Sequence, residues 1–461
     1  MIEDAARGPS LTRSSPKLGA SWSPRPRPGV VDVAVAVVAV GLGATVGISL
    51  TAETRTQFDG NGGIAIFAGN VTGLVGTYLA LVMVLLVSRI PWVERVLGQD
   101  GLLRWHRRLA AWPILLIAAH AFLLTVGYAQ AARSGILHEV GTLVSGFAYM
   151  AIATVAFVIM MLIGAVSVRA VRSRMKRESW WALHLFMYLA LALAFAHEVV
   201  LGPSFVGHPL TRFVWSVAWA ATAGVVIVCR FGIPIVRSVR HRLVVAEVRP
   251  EASGVVSIHL KGRHLDRLSV SGGQFFEWRF LRRGMWWQAH PFSVSATARS
   301  NAGSLRLTVK NVGDFTAALA AVPVGTRVAI EGPYGAFTAH AQRRQRVLLV
   351  AGGIGVTAVR GVLEDLPAGC EPVVVLRASD AGSLALGDEV AALVERHHGT
   401  VHELVGSREA VPVEAIGALV ADLKERDAYV AGPEGFVEAV VEFLSRAGVP
   451  VKSIHSEIYA L

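Results

Sequence analysis

Trp105–Phe122, WHRRLAAWPILLIAAHAF, and Leu183–Glu198, LHLFMYLALALAFAHE, carry the pattern from which the rest of the chain is read. Each is close to the roughly 20 apolar residues that cross a bilayer, and each holds two histidines. His106 and His120 stand fourteen residues apart, His184 and His197 thirteen. Ionisable side chains inside a span are costly and face the bundle interior, toward a partner or a ligand. With a helical rise of about 1.5 Å per residue, these spacings separate two levels by about 20 Å. A neutral imidazole is a natural axial ligand for haem iron, so two levels of histidine leave room for two stacked haems. At about 100° per residue, fourteen residues return to within about 40° of the starting face, whereas thirteen miss it by about 140°. A tilt, a distortion in the second stretch or ligation from its flank has to absorb that difference.

The surroundings place both stretches in a membrane domain. Of 461 residues, 53% are hydrophobic and only 17% charged, against about 25% charged in a typical soluble domain. Six apolar stretches fall at about 30–51, 64–88, 109–126, 142–168, 181–201 and 213–236. Basic residues crowd three connections: Arg7 to Arg27 before the first span, Arg89 to Arg108 between the second and third, and Arg169 to Arg177 between the fourth and fifth. The opposite side holds only Arg55, Arg133 and Arg212. That bias predicts a multi-pass protein of the plasma membrane with both termini in the cytosol. The third and fifth spans then run the same way, so His106 pairs with His184 for an inner haem and His120 with His197 for an outer one. The net charge of +11 does not imply nucleic acid, because Lys and Arg punctuate apolar runs instead of forming a stripe. Two cysteines, Cys229 and Cys370, exclude a disulfide framework, a four-thiolate iron–sulfur cluster and a Cys-built zinc site.

Residues 1–28, rich in Ser, Pro and Arg, read as a disordered cytosolic tail, and residues 29–240 as the all-α six-helix transmembrane bundle. From His241 the texture changes to short alternating strands (LVVAEV, VVSIHL, HPFSVSA, SLRLTVK) broken by Gly and Pro, which predicts an antiparallel β-barrel over 241–342. Strands then alternate with helices over 343–461, which predicts an α/β domain on a parallel sheet.

The second half carries several short motifs. His290-Pro291-Phe292-Ser293 offers an apolar ledge with one hydroxyl, and Gly273-Gln274-Phe275 precedes it. In VKNVGDFT, Lys310 can neutralise a phosphate, while Gly313 and Thr316 open a helix whose free N–H groups can hold a pyrophosphate. Gly352, Gly353, Gly355 and Thr357 lie in AGGIGVT, between a strand and a helix, where backbone can approach a phosphate closely. Gly432 and Pro433 lie in AGPEGF at the end of a later strand, the ligand edge of an open α/β sheet. Arg377, Ser379 and Arg408 follow the second and third strands, where a 2′-phosphate can be read, which favours NADPH; Asp380 favours NADH.

Taken together, six spans with this histidine quartet, a flavin barrel and a nicotinamide domain resemble the NADPH oxidase and ferric reductase superfamily, in its bacterial form, over about residues 30–461. The resemblance implies that His290, Pro291, Phe292 and Ser293 contact FAD, with the Ser293 hydroxyl near the flavin N5. It also implies that Tyr459 covers the ring face until nicotinamide displaces it, and that Glu457 assists proton handling. Lys310 stands where the family more often has Arg, Ala358 where it has Pro, and Ala431 where it has Cys.

The expected function is electron transfer from cytosolic NAD(P)H through FAD and two b-type haems to a small-molecule or metal-ion acceptor on the outer side, a ferric or cupric ion or dioxygen. Oxygen-reducing members often carry a basic residue near the outer haem; Asn70 in the outer half of the second span leans toward metal reduction. Two alternatives remain: a six-span transporter or proton channel with a nucleotide-sensing module, and an electron donor to an exported reductase or other extracytoplasmic electron-accepting protein.

Overall fold

The computed structural model describes residues 28–52, 60–299, 301, 303–407 and 412–459. The expected tail lies outside these residues except for Pro28, which begins the first helix. Among the described residues six helices are long and apolar enough to cross a membrane: Val31–Thr51, Gly63–Leu86, Gly101–Ala132, Met150–Ser167, Ser179–Leu201 and Pro209–His241.

Three of these spans depart from the sequence expectation by more than two residues at an end. The third span begins at Gly101 because the basic segment around His106 is itself helical (Gln99–Leu109) and runs, past a break at Ala110, into Ala111–Ala132. The fourth begins at Met150 because Ile136–Gly146 forms a separate helix, ended where Phe147 turns extended and Tyr149 adopts a φ of 63°. The sixth is 33 residues long, about 50 Å at the helical rise and well beyond the roughly 30 Å of bilayer hydrocarbon. Its last turns therefore stand clear of the bilayer and lead directly into the first strand.

Six strands close an antiparallel barrel: β1 (Leu243–Ala252), β2 (Val255–Lys261), β3 (Phe275–Phe280), β4 (His290–Ala296), β5 (Leu305–Lys310) and β6 (Arg327–Tyr334), in the order β1-β2-β5-β4-β3-β6. Alternation fills its interior with Phe276, Trp278 and Phe280, all fully buried. The indole N–H of Trp278 donates to the Phe292 carbonyl at 2.8 Å, so the largest core side chain leaves no polar atom unpaired.

Five parallel strands follow: β7 (Val347–Gly352), β8 (Val373–Ala378), β9 (Thr400–Val405), β10 (Asp427–Pro433) and β11 (Ile454–Tyr459), ordered β11-β10-β7-β8-β9. Their period of two feeds two cores. Leu349 and Ala351 pack with the helices Val356–Glu364 and Gly387–Arg396, whereas Leu348 and Val350 pack with Glu434–Arg446 on the other face. The near-continuous apolar runs of β7 and β8 follow from burial on both faces.

One buried group makes this sheet acid-sensitive. His455 on β11 is 2% exposed, stacks on Tyr429 at 4.6 Å and offers neither ring nitrogen to a partner. Burial pushes its pKa down to about 4. The folded chain thus stays neutral there while the unfolded chain takes up a proton near pH 6.5. Stability is full above about pH 6.5 and declines by about 3 kcal/mol as pH falls toward 4. Chemical denaturation at pH 7 and pH 4.5 is expected to show a smaller loss for His455→Phe than for the wild type; equal losses contradict this account.

Candidate functional site

The histidine ladder is built by the second span. His120 Nδ1 lies 2.8 Å from the Gly69 carbonyl and His106 Nδ1 lies 3.2 Å from the Met83 carbonyl. A carbonyl only accepts, so each Nδ1 carries the proton and each Nε2 keeps its lone pair for a ligand. Close approach requires Gly73, since a Cβ there would meet the His120 ring. Across the bundle, His106 faces His184 and His120 faces His197, both with ring centroids 6.3 Å apart. Two imidazole–metal bonds of about 2 Å each fit within that separation.

The Nδ1 atoms of His184 and His197 are buried without a hydrogen-bond partner, so no backbone carbonyl orients these two rings as the Met83 and Gly69 carbonyls orient His106 and His120. The donor set is two imidazoles per level. Among the described residues no cluster of three His, Cys, Asp or Glu stands ready for a bare metal ion. Such a set suits haem iron, which takes histidine as an axial ligand. The thirteen-residue spacing is accommodated by a distortion: the helix Arg177–His184 stops, and Phe186–Leu201 begins after Leu185, where Tyr188 N–H bonds back three residues at 3.1 Å. The two histidines thus do not share one uninterrupted helical phase.

The barrel motif and the parallel sheet meet at Tyr459. Its hydroxyl shares a hydrogen bond with Ser293 on β4 at 2.8 Å and another with Thr357 at 3.4 Å, after the Gly-rich turn. Burial, with the Glu457 carboxylate nearby, pushes the Tyr459 phenol up. Glu457 and Tyr459 lie in register with Ala431 and Pro433 on β10, and Gly432 pairs with Ile458 between them. Gly352 ends β7 and Gly353 turns with a φ of 54°. At Gly355 any Cβ would strike the Ala431 carbonyl, which is why β10 and the turn approach so closely.

His290 stacks on Phe315 at 3.8 Å, and Phe292 is nearly parallel to Phe315, 15° apart at 6.4 Å. Pro291 on β4 is exposed beside them. Phe315 is absent from the sequence expectation, although it sits inside the VKNVGDFT run; an aromatic two residues after Gly313 was the available signal. Lys310 is exposed at the end of β5. The Thr316 hydroxyl accepts the N–H groups of Val312 and Gly313 at 2.9 and 3.0 Å. Both N–H groups precede the helix Asp314–Ala320, whose own first N–H groups are the donors expected for a pyrophosphate.

Arg377 is also otherwise committed, contrary to the expectation that it reads a 2′-phosphate. Its guanidinium donates to the carbonyls of Ala378, Leu404, Gly406 and Ser407 at 2.6 to 3.0 Å, tying the ends of β8 and β9 together. Ser379 donates to Asp380 at 3.2 Å. Arg408 lies outside the described residues.

Ionic contacts join the three units. Arg306 of β5 grips Glu389 with bonds of 2.5 and 2.7 Å, and Arg360 reaches the same carboxylate at 3.1 Å. On the membrane side, Arg230 in a π-helical turn (Ile227–Gly232) of the sixth span pairs with Glu331 of β6 at 3.0 Å. Arg89 reaches Glu331 at 3.7 Å and Glu277 at 3.8 Å while lying 4.3 Å over the Tyr334 ring. The barrel is thereby seated on the His106 end of the bundle.

Comparison with known proteins adds the following. A family described as the ferric reductase like transmembrane component matches residues 72–195, which include His106, His120 and His184, and an FAD-binding domain family matches residues 241–338. The chain is 27% identical over 224 residues to an NADPH oxidoreductase of Mycobacterium tuberculosis, covering 46% of this chain and 58% of that protein. It is 28% identical over 198 residues to a flavohemoprotein of Chromobacterium violaceum, covering 38% and 49%. The chain thus spans about half the length of these curated relatives. A solved structure, the FAD/NAD-binding domain of nitric oxide dioxygenase from Vibrio cholerae, aligns with a TM-score of 0.41 at 23% identity, covering 48% of this chain and 99% of that one.

Proposed function

From its ferric reductase and NADPH oxidase type of architecture, a ferric-reductase-like transmembrane component followed by an FAD-binding domain, we propose that the chain is an NAD(P)H-dependent transmembrane oxidoreductase. It passes electrons from cytosolic NAD(P)H through FAD and two b-type haems to a ferric or cupric ion, or dioxygen, on the outer side. The observation that carries this reading is the pair of histidine contacts, both 6.3 Å between centroids, on two levels of the same two spans.

When bound, flavin supplies the conversion of a two-electron hydride into single electrons, and haem iron supplies a one-electron centre. His106 and His184 would hold the inner haem, and His120 and His197 the outer. The Met83 and Gly69 carbonyls fix the tautomer and ring orientation of His106 and His120 and raise their basicity as ligands. His290, Pro291 and Phe292 would provide the ledge for the flavin, with the Ser293 hydroxyl as the polar group beside it. Lys310 with the turn at Gly313 and Thr316 takes the FAD pyrophosphate. Gly352, Gly353, Gly355, Thr357, Gly432 and Pro433 receive the dinucleotide. Tyr459 closes the cleft by its bonds to Ser293 and Thr357 until nicotinamide replaces it, and Glu457 handles the proton. The bias of the basic connections supports a cytosolic barrel side in this reading, with the plasma membrane as the membrane crossed.

Because carbonyls already occupy Arg377, Arg377→Gln is expected to change the NADPH to NADH ratio of kcat/KM by less than about threefold. Loss of a charge-assisted phosphate contact costs about tenfold or more, and a selective drop of that size for NADPH would contradict this.

The deciding experiment is an anaerobic optical titration of the detergent-purified protein with NADPH, with haem quantified per chain. Two haems per chain, reduced in the presence of FAD, are expected. A folded, flavin-loaded preparation without haem absorbance refutes the electron path and leaves the transporter or proton channel reading.

A further inference from the structure

The two histidines nearest the barrel are held by different means. His106 is tied to the Met83 carbonyl, whereas His184 lies against the indole of Trp180, with centroids 4.9 Å apart and planes 22° from parallel. Trp180 precedes His184 by four residues on Arg177–His184, the helical spacing that puts two side chains on one face. The indole is itself pinned: Nε1–H donates to Ser167 Oγ at 3.3 Å at the end of the fourth span, and the exposed Arg172 guanidinium lies 4.2 Å from its ring centroid. His197, at the distal level, has no stacked aromatic among the described residues beyond its edge contact with His120.

We infer that Trp180, with Arg172 stacked on it, is a positioning residue for His184 and raises the reduction potential of the barrel-proximal haem. The inference rests on the proposed ligation of that haem by His106 and His184. A ligating imidazole is normally oriented by a hydrogen bond from its second nitrogen, which also makes it a stronger donor and favours the oxidised metal. His184 Nδ1 lacks that bond, so the flat indole fixes the ring plane without adding basicity. The guanidinium, held by cation–π attraction, places a positive charge behind the ligand. Positive charge favours the reduced, less positive iron. Since Arg172 faces solvent, added salt screens part of this field. This level thus has a salt-sensitive potential.

Potentiometric titration of the full-length protein, followed optically and by electron paramagnetic resonance, separates the parts. Arg172→Gln, at an exposed position, is expected to lower the reduced-to-oxidised ratio of the proximal haem at fixed potential by about three- to tenfold. A tenfold change is about 59 mV for one electron. Its low-spin signal and the distal potential stay unchanged, and the wild-type proximal potential falls with added salt. Trp180→Leu is expected to lower the same ratio and also alter the proximal low-spin signal, and Trp180→Phe to restore the signal. Variants that keep two haems with both potentials and signals at wild-type values overturn the inference while the ligation stands. His184→Ala tests the ligation itself: loss of one haem of two supports it. Retention of both, or a wild type without haem, removes the ligation and the inference together.

Discussion

Replacing His120 by alanine is expected to lower NADPH-driven reduction of an outer-side acceptor by more than about 100-fold, since even outer-shell partners of a metal ligand are worth 10- to 100-fold. Dye reduction at the flavin end is expected to stay within about twofold, because His120 stands fourteen residues, about 20 Å of helix, beyond His106 at the end that seats the barrel. The Gly69 carbonyl released by the substitution keeps a partner in the Thr72 hydroxyl at 2.9 Å, so the second span is left without a new unpaired group there. Purified His120→Ala should carry one haem per chain. Two haems, or undiminished outer-side reduction in proteoliposomes, would place the distal electron step elsewhere.

Glu389→Ala is expected to loosen the junction of barrel and parallel sheet. Arg306, 2% exposed, would lose both its bonds to Glu389 and keep only the Ser295 hydroxyl at 3.1 Å. Breaking a buried ion pair by removing one partner costs about 3–5 kcal/mol. The Glu389 side chain is 35% exposed, so water tempers the loss toward about 2–3 kcal/mol. At roughly 2–4 °C per kcal/mol for a unit of 150–250 residues, flavin release on heating should come about 5–10 °C earlier. The Arg306 guanidinium holds the Glu389 carboxyl below its ordinary range. The contribution is therefore present above the unfolded carboxyl pKa and lost as pH falls through the lower folded value. The network spans β5 and the helices Val356–Glu364 and Gly387–Arg396, and so fixes Ser293 relative to Thr357 and Tyr459. An unchanged release temperature would show that the two units hold together without it.

Much of the architecture was legible locally. Six apolar runs of bilayer length, a basic bias on alternate connections, period-two strands and Gly-rich turns at strand ends are all short-range patterns, and each maps directly onto an element. Ser293, Thr357 and Tyr459 were singled out from separate motifs. Their convergence was not visible, because 166 residues separate Ser293 from Tyr459 and only the packing of barrel on sheet closes that distance. Phe315 was missed for a related reason: its stacking on His290 depends on how β4 and the turn after β5 are brought together.

The sequence by itself determined that this is a six-span protein joined to a barrel and a parallel sheet, and that two spans running the same way carry histidines at two depths. Hydrophobic length, charge bias and periodicity are properties of neighbouring residues, so they can be read without a fold. The tertiary structure alone decided what occupies each polar group. It put the Met83 and Gly69 carbonyls on His106 and His120 and the Trp180 indole on His184. It also broke the fifth span at Leu185 and committed Arg377 to four carbonyls. Arg89, one more basic residue of a cytosolic loop by sequence, proved with Arg230 to seat the barrel through Glu331. A buried donor or charge must find a partner wherever the chain provides one, and for these residues that partner is remote in sequence.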